Sequence, residues 1–418
     1  MKRALVLCGG GSLGSYEVGV WKYLREKGIT FDIVTGTSIG SINGTLVATG
    51  EFEKAENLWK TIAADKVMVN GMNFYKKLFS DPNMNKRLIA FAKTYVKNGG
   101  ADITPLENLV KASIDTQKVK ASRITLGIVT TAYPSLKEVD VIVNDLPEDK
   151  IIPYLHASSA CYPIFPIYKI DGKRFVDGGY NNNLPIDFAL RLGATEIIAV
   201  LLHAVPKVPQ HKEMMDLPFV TTVRPSRDTG SIMDFDGKVE NDNMILGYND
   251  ARKTFGDSWG RSFTFEKDES YADLWNEFSL RLAEKHPYDF DKIQKALAFE
   301  DIVPKTSRQV FQRTLELVGE WLNIDYLPIY TFSGFIKAFV GKIEEAIAHS
   351  NQPPFQKNYD FGLHLNKNEQ EKFLYSIYHA ALSKNKAAKV DLLFGFNAET
   401  AAIKELFFFL QEKGLLKA

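Results

Sequence analysis

Ser38 stands between two glycines in Gly36-Thr37-Ser38-Ile39-Gly40, and the chain changes character at that point. Upstream, Phe31-Asp32-Ile33-Val34 reads as a short buried strand. Downstream, the small apolar run from Ile39 toward Ala48 reads as a helix packed beneath a sheet. A strand passing into a helix through G-x-S-x-G is an elbow that holds its serine in a strained backbone conformation. Side chains at the flanking positions would collide in so sharp a turn. The hydroxyl is pushed out at the carboxyl edge of the sheet, with the positive end of a helix behind it.

A second loop lies upstream. Arg3-Ala4-Leu5-Val6-Leu7-Cys8 reads as an apolar strand and runs straight into Gly9-Gly10-Gly11-Ser12-Leu13-Gly14. A helix follows, with Val18, Val20, Trp21 and Leu24 at helical spacing and Gly28 as its stop. Three glycines let backbone N–H groups crowd around one point, as binding an oxyanion or a phosphate requires. The loop also fits G-x-G-x-x-G, so a dinucleotide-binding oxidoreductase is an alternative. That fold needs an acidic residue about 20 positions on, at the far end of the second strand. Asp32 has the separation but precedes the apolar residues of its strand, and the pentapeptide around Ser38 is left without a role.

Asp177-Gly178-Gly179 follows Gly172-Lys173-Arg174-Phe175-Val176 and precedes Tyr180-Asn181-Asn182-Asn183-Leu184-Pro185. In isolation it reads as a hairpin turn or a loop. A serine hydroxyl, however, is a weak nucleophile and needs a base. None of the seven histidines has a convincing local signature; the nearest, His156, reads as a packed or partly exposed helix residue. An aspartate can serve when partial desolvation raises its basicity, and flanking glycines would let its backbone approach the serine.

Taken in order, these three motifs resemble the patatin-like phospholipase family. Two further segments are similar to it: Ala157-Ser158-Ser159-Ala160-Cys161-Tyr162-Pro163-Ile164-Phe165-Pro166, before the aspartate, and Leu246-Gly247-Tyr248-Asn249-Asp250-Ala251. The resemblance covers residues 1–256 and implies a three-layer α/β/α domain with a mixed, mostly parallel central sheet. It implies Ser38 as nucleophile, Asp177 as general base and Gly9, Gly10 and Gly11 as the oxyanion hole. Ser12, Gly14, Gly36, Gly40, Gly178 and Gly179 are then the supporting motif residues. The implied activity is cleavage of carboxylic esters in phospholipids or lysophospholipids through an acyl-enzyme, by a dyad without histidine, cofactor or metal. One departure is Leu13, where the family usually carries Arg or Lys. A catalytically silent lipid-binding protein is a further alternative.

The balance of 51 basic and 51 acidic side chains gives no global pull toward nucleic acid or membrane. The two cysteines, Cys8 and Cys161, are too few for a disulfide framework and sit in apolar contexts typical of buried thiols. The apolar run of Met1–Cys8 is shorter than the ~7–15 residues of a secretory core, and no stretch approaches the ~18 apolar residues of a membrane span. The expectation is a cytoplasmic enzyme, at most peripheral to a membrane, with no nucleic-acid partner.

Charge is locally uneven. Residues 76–123 hold ten basic and four acidic residues, net +6. Within them Met84, Leu88, Phe91, Ala92 and Tyr95 recur at helical spacing beside Lys86, Arg87, Lys93 and Lys97. Such a basic amphipathic helix packs on a core or lies on an anionic lipid surface, and this insert is expected to act as a lid over the site. Val205–Val223, with three prolines, reads as a loop or flap. From residue 257 to 418 the pattern is helical, with stripes at Val310–Leu322, Phe332–Ile347, Phe373–Ala381 and Ile403–Leu410. The last carries Phe408 and Phe409 besides, and docking on the first domain, on a partner or on a membrane is open to it.

Overall fold

Ala4, Leu5 and Val6 are wholly buried, as are Val34, Ile128 and Ala199 on other strands; such two-sided burial is what parallel strands under covering helices require. The computed structural model of the chain describes residues 2–69, 99–202, 212–299, 301–349, 366–382 and 397–416. The chain divides into two compact units, Met1–Phe255 and Gly256–Ala418.

The first unit is built on one mixed sheet. Strands β1 (Arg3–Leu7), β2 (Ile33–Thr37), β3 (Thr125–Tyr133), β7 (Glu196–Val200) and β8 (Val220–Val223) run parallel, in the order β3-β2-β1-β7-β8. Antiparallel β4 (Lys137–Ile142), β5 (Tyr168–Ile170) and β6 (Lys173–Asp177) complete it. The helices are α1 (Gly14–Glu26), α2 (Ile39–Thr49), α3 (Phe52–Thr61), α4 (Thr104–Ser113), α5 (Thr116–Ala121), α6 (Glu148–Ser158), α7 (Ile186–Arg191) and α8 (Gly237–Thr254). They cover both faces: α2 lies through Gly44 against Val34 and Leu126, while Phe188 of α7 covers Gly127 on the other side. The expected mixed, mostly parallel α/β architecture is the observed one.

The register around β3 decides where the site forms. β4 pairs with residues 127–132 of β3, so it occupies one hydrogen-bonding edge. β2 pairs with residues 125–129 and β6 with residues 130–133, so both must share the opposite edge. They meet there tip to tip, Thr37 opposite Val129 and Asp177 opposite Thr130. Two strands running toward each other along one neighbour bring their carboxyl ends together.

Two local readings shift. β2 starts at Ile33 and runs through Gly36 and Thr37 into the elbow, two residues later than the apolar run suggested. The expected loop over Val205–Val223 is corrected at its end: Lys212–Asp216 forms a 3-10 turn and Val220–Val223 is the parallel edge strand β8. The β-branched run Val220-Thr221-Thr222-Val223 completes the ladder that β7 would otherwise leave open. Residues 205–211 lie outside the described residues, as do the amphipathic pattern at 84–95 and the cations from Lys76 to Lys97; the rest of the basic stretch contains α4 and α5.

The second unit is helical around an aromatic core. It contains α9 (Ala272–Lys285), α10 (Phe290–Ala296), α11 (Ser307–Trp321), α12 (Phe332–His349), α13 (Lys367–Leu382) and α14 (Ala398–Glu412), with a short parallel ribbon of Thr264–Phe265 and Ile329–Tyr330. Phe263, Phe265, Phe311, Phe332, Phe335 and Phe339 are fully buried in it. α14 is apolar on more than one side because α10, α11 and α13 all pack on it: Ile403, Leu406, Phe407, Phe409 and Leu410 are buried, and Phe408 packs against the same core. Among the described residues, no helix is long and apolar enough to cross a membrane.

Candidate active site

Ser38 has φ 53° and ψ −123°, a region that non-glycine residues avoid, and it forms the N-cap of α2. Holding it there requires close backbone contact on the helix side. A Cβ on Gly40 would stand 2.6 Å from Leu7 O and 2.8 Å from Cys8 O, so only glycine lets α2 start directly under the end of β1. Gly36 is the fourth residue of β2. The turn is locked from both sides. Ser41 Oγ donates to Ser38 O at 2.6 Å, and Ser38 N–H donates to Ser158 Oγ at 3.0 Å. Ser158, at the last turn of α6, in turn donates to Val129 O at 2.7 Å.

Asp177 reaches the elbow from the tip of β6. Ser38 Oγ donates to Asp177 Oδ2 at 2.6 Å, and Gly179 N–H donates to Asp177 Oδ1 at 2.7 Å. Gly178 and Gly179 form a 3-10 turn with Tyr180. Only 6% of Asp177 is exposed, and this burial pushes its carboxyl up from 3.8 to about 6, against the lowering effect of the Ser38 and Gly179 hydrogen bonds. It is a carboxylate more basic than usual, already hydrogen-bonded to a hydroxyl.

The glycine loop lies beside this pair. Gly9 N–H donates to Asn183 O at 3.0 Å, and Asn183 Nδ2 returns bonds to Gly9 O at 2.9 Å and Cys8 Sγ at 3.2 Å. The N–H of Gly9 is therefore occupied. Those of Gly10 and Gly11 have no protein acceptor among the described residues. Gly11 has φ 58°, and a side chain there would run into Ile232 O. Ser12 N–H donates to the same Ile232 O at 3.0 Å and Ser12 Oγ to Ser231 O at 2.8 Å. Gly14 opens α1, and Leu13 before it is buried.

Ser38, Asp177 and the three glycines border one cleft of about 300 Å³, whose remaining walls include Ile39, Ile42, Phe165, Ile232, Met233 and Phe235. A few polar atoms on the floor of an apolar slot can orient an ester while its chain stays dry. His156 is absent from the lining: it is buried, packs on Tyr168 with ring centroids 5.5 Å apart, and is pushed down to about 4 by burial. Asp32 accepts Arg3 N–H at 2.8 Å at the start of β1, the sheet end away from the glycine loop, where no ribose held by that loop could reach it. Cys8 is buried as expected, while Cys161 is mostly buried and borders the cleft; burial pushes both thiols up to about 12.

Sequence reasoning gave no role to Ser158, Asn183, Ile232, Met233 or Phe235. The Asn-rich run after Asp177-Gly178-Gly179 was the one signal for Asn183. The others act across long sequence separations.

An open α/β fold with a serine on a strained strand–helix elbow, facing a buried carboxylate, defines the class. Residues 5–190 match the family model for patatin-like phospholipase. Patatin-like phospholipase domain-containing protein 7 of Mus musculus is 30% identical over 199 residues, 47% of this chain and 13% of that protein. Lysophospholipase NTE1 of Mycosarcoma maydis is 27% identical over 205 residues, 48% of this chain and 10% of that protein. The chain thus matches only about an eighth or less of the length of these relatives. Among solved structures, VipD from Legionella pneumophila aligns over 100% of this chain and 92% of its own, at 14% identity and a TM-score of 0.41.

Proposed function

We propose that the chain is a lipid acyl hydrolase, cleaving carboxylic esters of phospholipids or lysophospholipids through a Ser38–Asp177 dyad. One observation carries this reading: the 2.6 Å bond between Ser38 Oγ and Asp177 Oδ2, made at a strained elbow on the floor of an apolar cleft. The family and its lysophospholipase relative support a lipid ester as substrate.

Ser38 Oγ attacks the acyl carbonyl carbon while Asp177 takes its proton. An Asp177 carboxyl at about 6 is ionised at neutral pH yet more basic than an ordinary aspartate, as a general base should be. The free N–H groups of Gly10 and Gly11 receive the oxyanion, with the N-terminus of α2 behind the developing charge. Collapse breaks the ester bond, the leaving alcohol takes the proton from Asp177, and the acyl group stays on Ser38. Water, deprotonated by Asp177, then releases the fatty acid and restores the serine.

Purified Ser38→Ala and Asp177→Asn proteins should each lose turnover of acyl esters with their folds intact, and Ser38→Ala should resist a fluorophosphonate probe that labels the parent. Retained turnover in either variant refutes the dyad. Labelling that fails on the parent favours a silent lipid-binding protein. The reading includes contact of the basic stretch 76–123 with anionic lipid. Replacing Lys86, Arg87, Lys93 and Lys97 with glutamine should then weaken binding to anionic vesicles, and unchanged binding ends that part.

A further inference from the structure

One wall of the cleft comes from a segment that no motif marks. Ile232, Met233 and Phe235 border the same space as Ser38, yet they precede α8 and lie beyond the residues matched to the family. The backbone of this segment is already in use, because the carbonyls of Ser231 and Ile232 accept both polar groups of Ser12. Its side chains are what it offers the cleft. Asp234, between Met233 and Phe235, is not part of the lining, and the three side chains that are give no hydrogen-bonding group to a headgroup or a leaving alcohol. They give a soft, adaptable apolar surface suited to an alkyl chain.

We infer that Ile232, Met233 and Phe235 read the alkyl chain of the acyl group, so that this segment sets acyl-length preference. The identity of the substrate rests on the hydrolase reading above; the apolar wall rests on the cleft alone. The wall is also tied to the chemistry. The segment that holds Ile232 O over Gly11 also carries the side chains of this wall, so wall and glycine loop are fastened together.

The test compares the full chain with its Met233→Ala, Phe235→Ala and Met233→Leu variants on butanoyl, octanoyl and dodecanoyl esters of one chromogenic alcohol. A methylene in an apolar pocket discriminates by ~10–200-fold, so kcat/KM for the dodecanoyl ester relative to the butanoyl ester should fall about tenfold or more in both alanine variants. Met233→Leu, still apolar and close in volume, should keep the ratio. A segment that merely supports the fold would lower all three esters together. A second arm needs no turnover: binding of dodecanoate to Ser38→Ala, by calorimetry, should weaken about tenfold when Met233→Ala is added. An unchanged ester ratio with unchanged affinity overturns the inference, and so does dodecanoate that fails to bind Ser38→Ala. Should the parent cleave no ester while dodecanoate binding still depends on Met233, the hydrolase reading fails and the wall stands.

Discussion

Asn183 holds Gly9 by both of its backbone polar groups, accepting Gly9 N–H at 3.0 Å through its own carbonyl and donating Nδ2 to Gly9 O at 2.9 Å. It fastens the first glycine and leaves the next two amides open. In the proposed mechanism, Asn183→Ala should loosen the loop and lower kcat with little change in KM. Complete loss of one oxyanion donor costs about 10²–10³-fold, which bounds the effect from above. Steady-state kinetics on a short ester, with circular dichroism to confirm the fold, make the check; an unaltered kcat separates Asn183 from the rate.

The buried carboxyl of Asp177 predicts a pH profile and a stability cost of one sign. Only its ionised form can accept the Ser38 proton, so kcat/KM should rise with pH and level off above about 6. Its folded value lies above the ordinary 3.8, so the native state holds the proton more tightly than the unfolded chain does. Stability from this group is full below about 4 and is lost as pH rises through about 6. Asp177→Asn lacks that loss, so urea unfolding should show it gaining on the parent between pH 4 and pH 7. The gain is at most about 3 kcal/mol, at ~1.4 kcal/mol for each pKa unit.

Ser158 Oγ bridges Ser38 N–H and Val129 O, linking the elbow to β3. Ser158→Ala leaves the Ser38 N–H without its partner, which costs ~1–3 kcal/mol when the group is buried. Thermal unfolding should show that loss, and turnover should drop further than stability accounts for, because the elbow sets the direction of the hydroxyl.

Glu17 is buried under the loop with Asn43 Nδ2 donating to it at 2.9 Å, and burial pushes its carboxyl from 4.5 up to about 8 against that bond. The acid is neutral at pH 7. A raised value means that its stabilisation is full below 4.5 and lost as pH climbs through about 8. Glu17→Gln should therefore flatten the decline in thermal stability between pH 5 and pH 9. An identical decline in parent and variant would show that Glu17 does not titrate in this window.

Local chemistry was legible in the amino acids. The glycines around Ser38, the triple glycine after an apolar run and the helical stripes each reported their own conformation, since backbone strain and periodicity are properties of a few neighbouring residues. The strand Val220–Val223 was not, because only the open edge of β7 makes that short run pair. Asp177 was legible only through the order of three motifs; read alone, Asp-Gly-Gly was a turn.

The amino acids alone determined that a serine would be held in strain between a strand and a helix, that amides would cluster nearby, and that helices would follow. Only the folded chain decided which carboxylate meets the serine, because β2 and β6 abut along one edge of β3. It alone decided that Asn183 occupies Gly9 and that the segment from Ile232 to Phe235 walls the cleft. Those contacts join residues far apart in the chain. They depend on strand register and close packing, and neither is encoded in any single stretch.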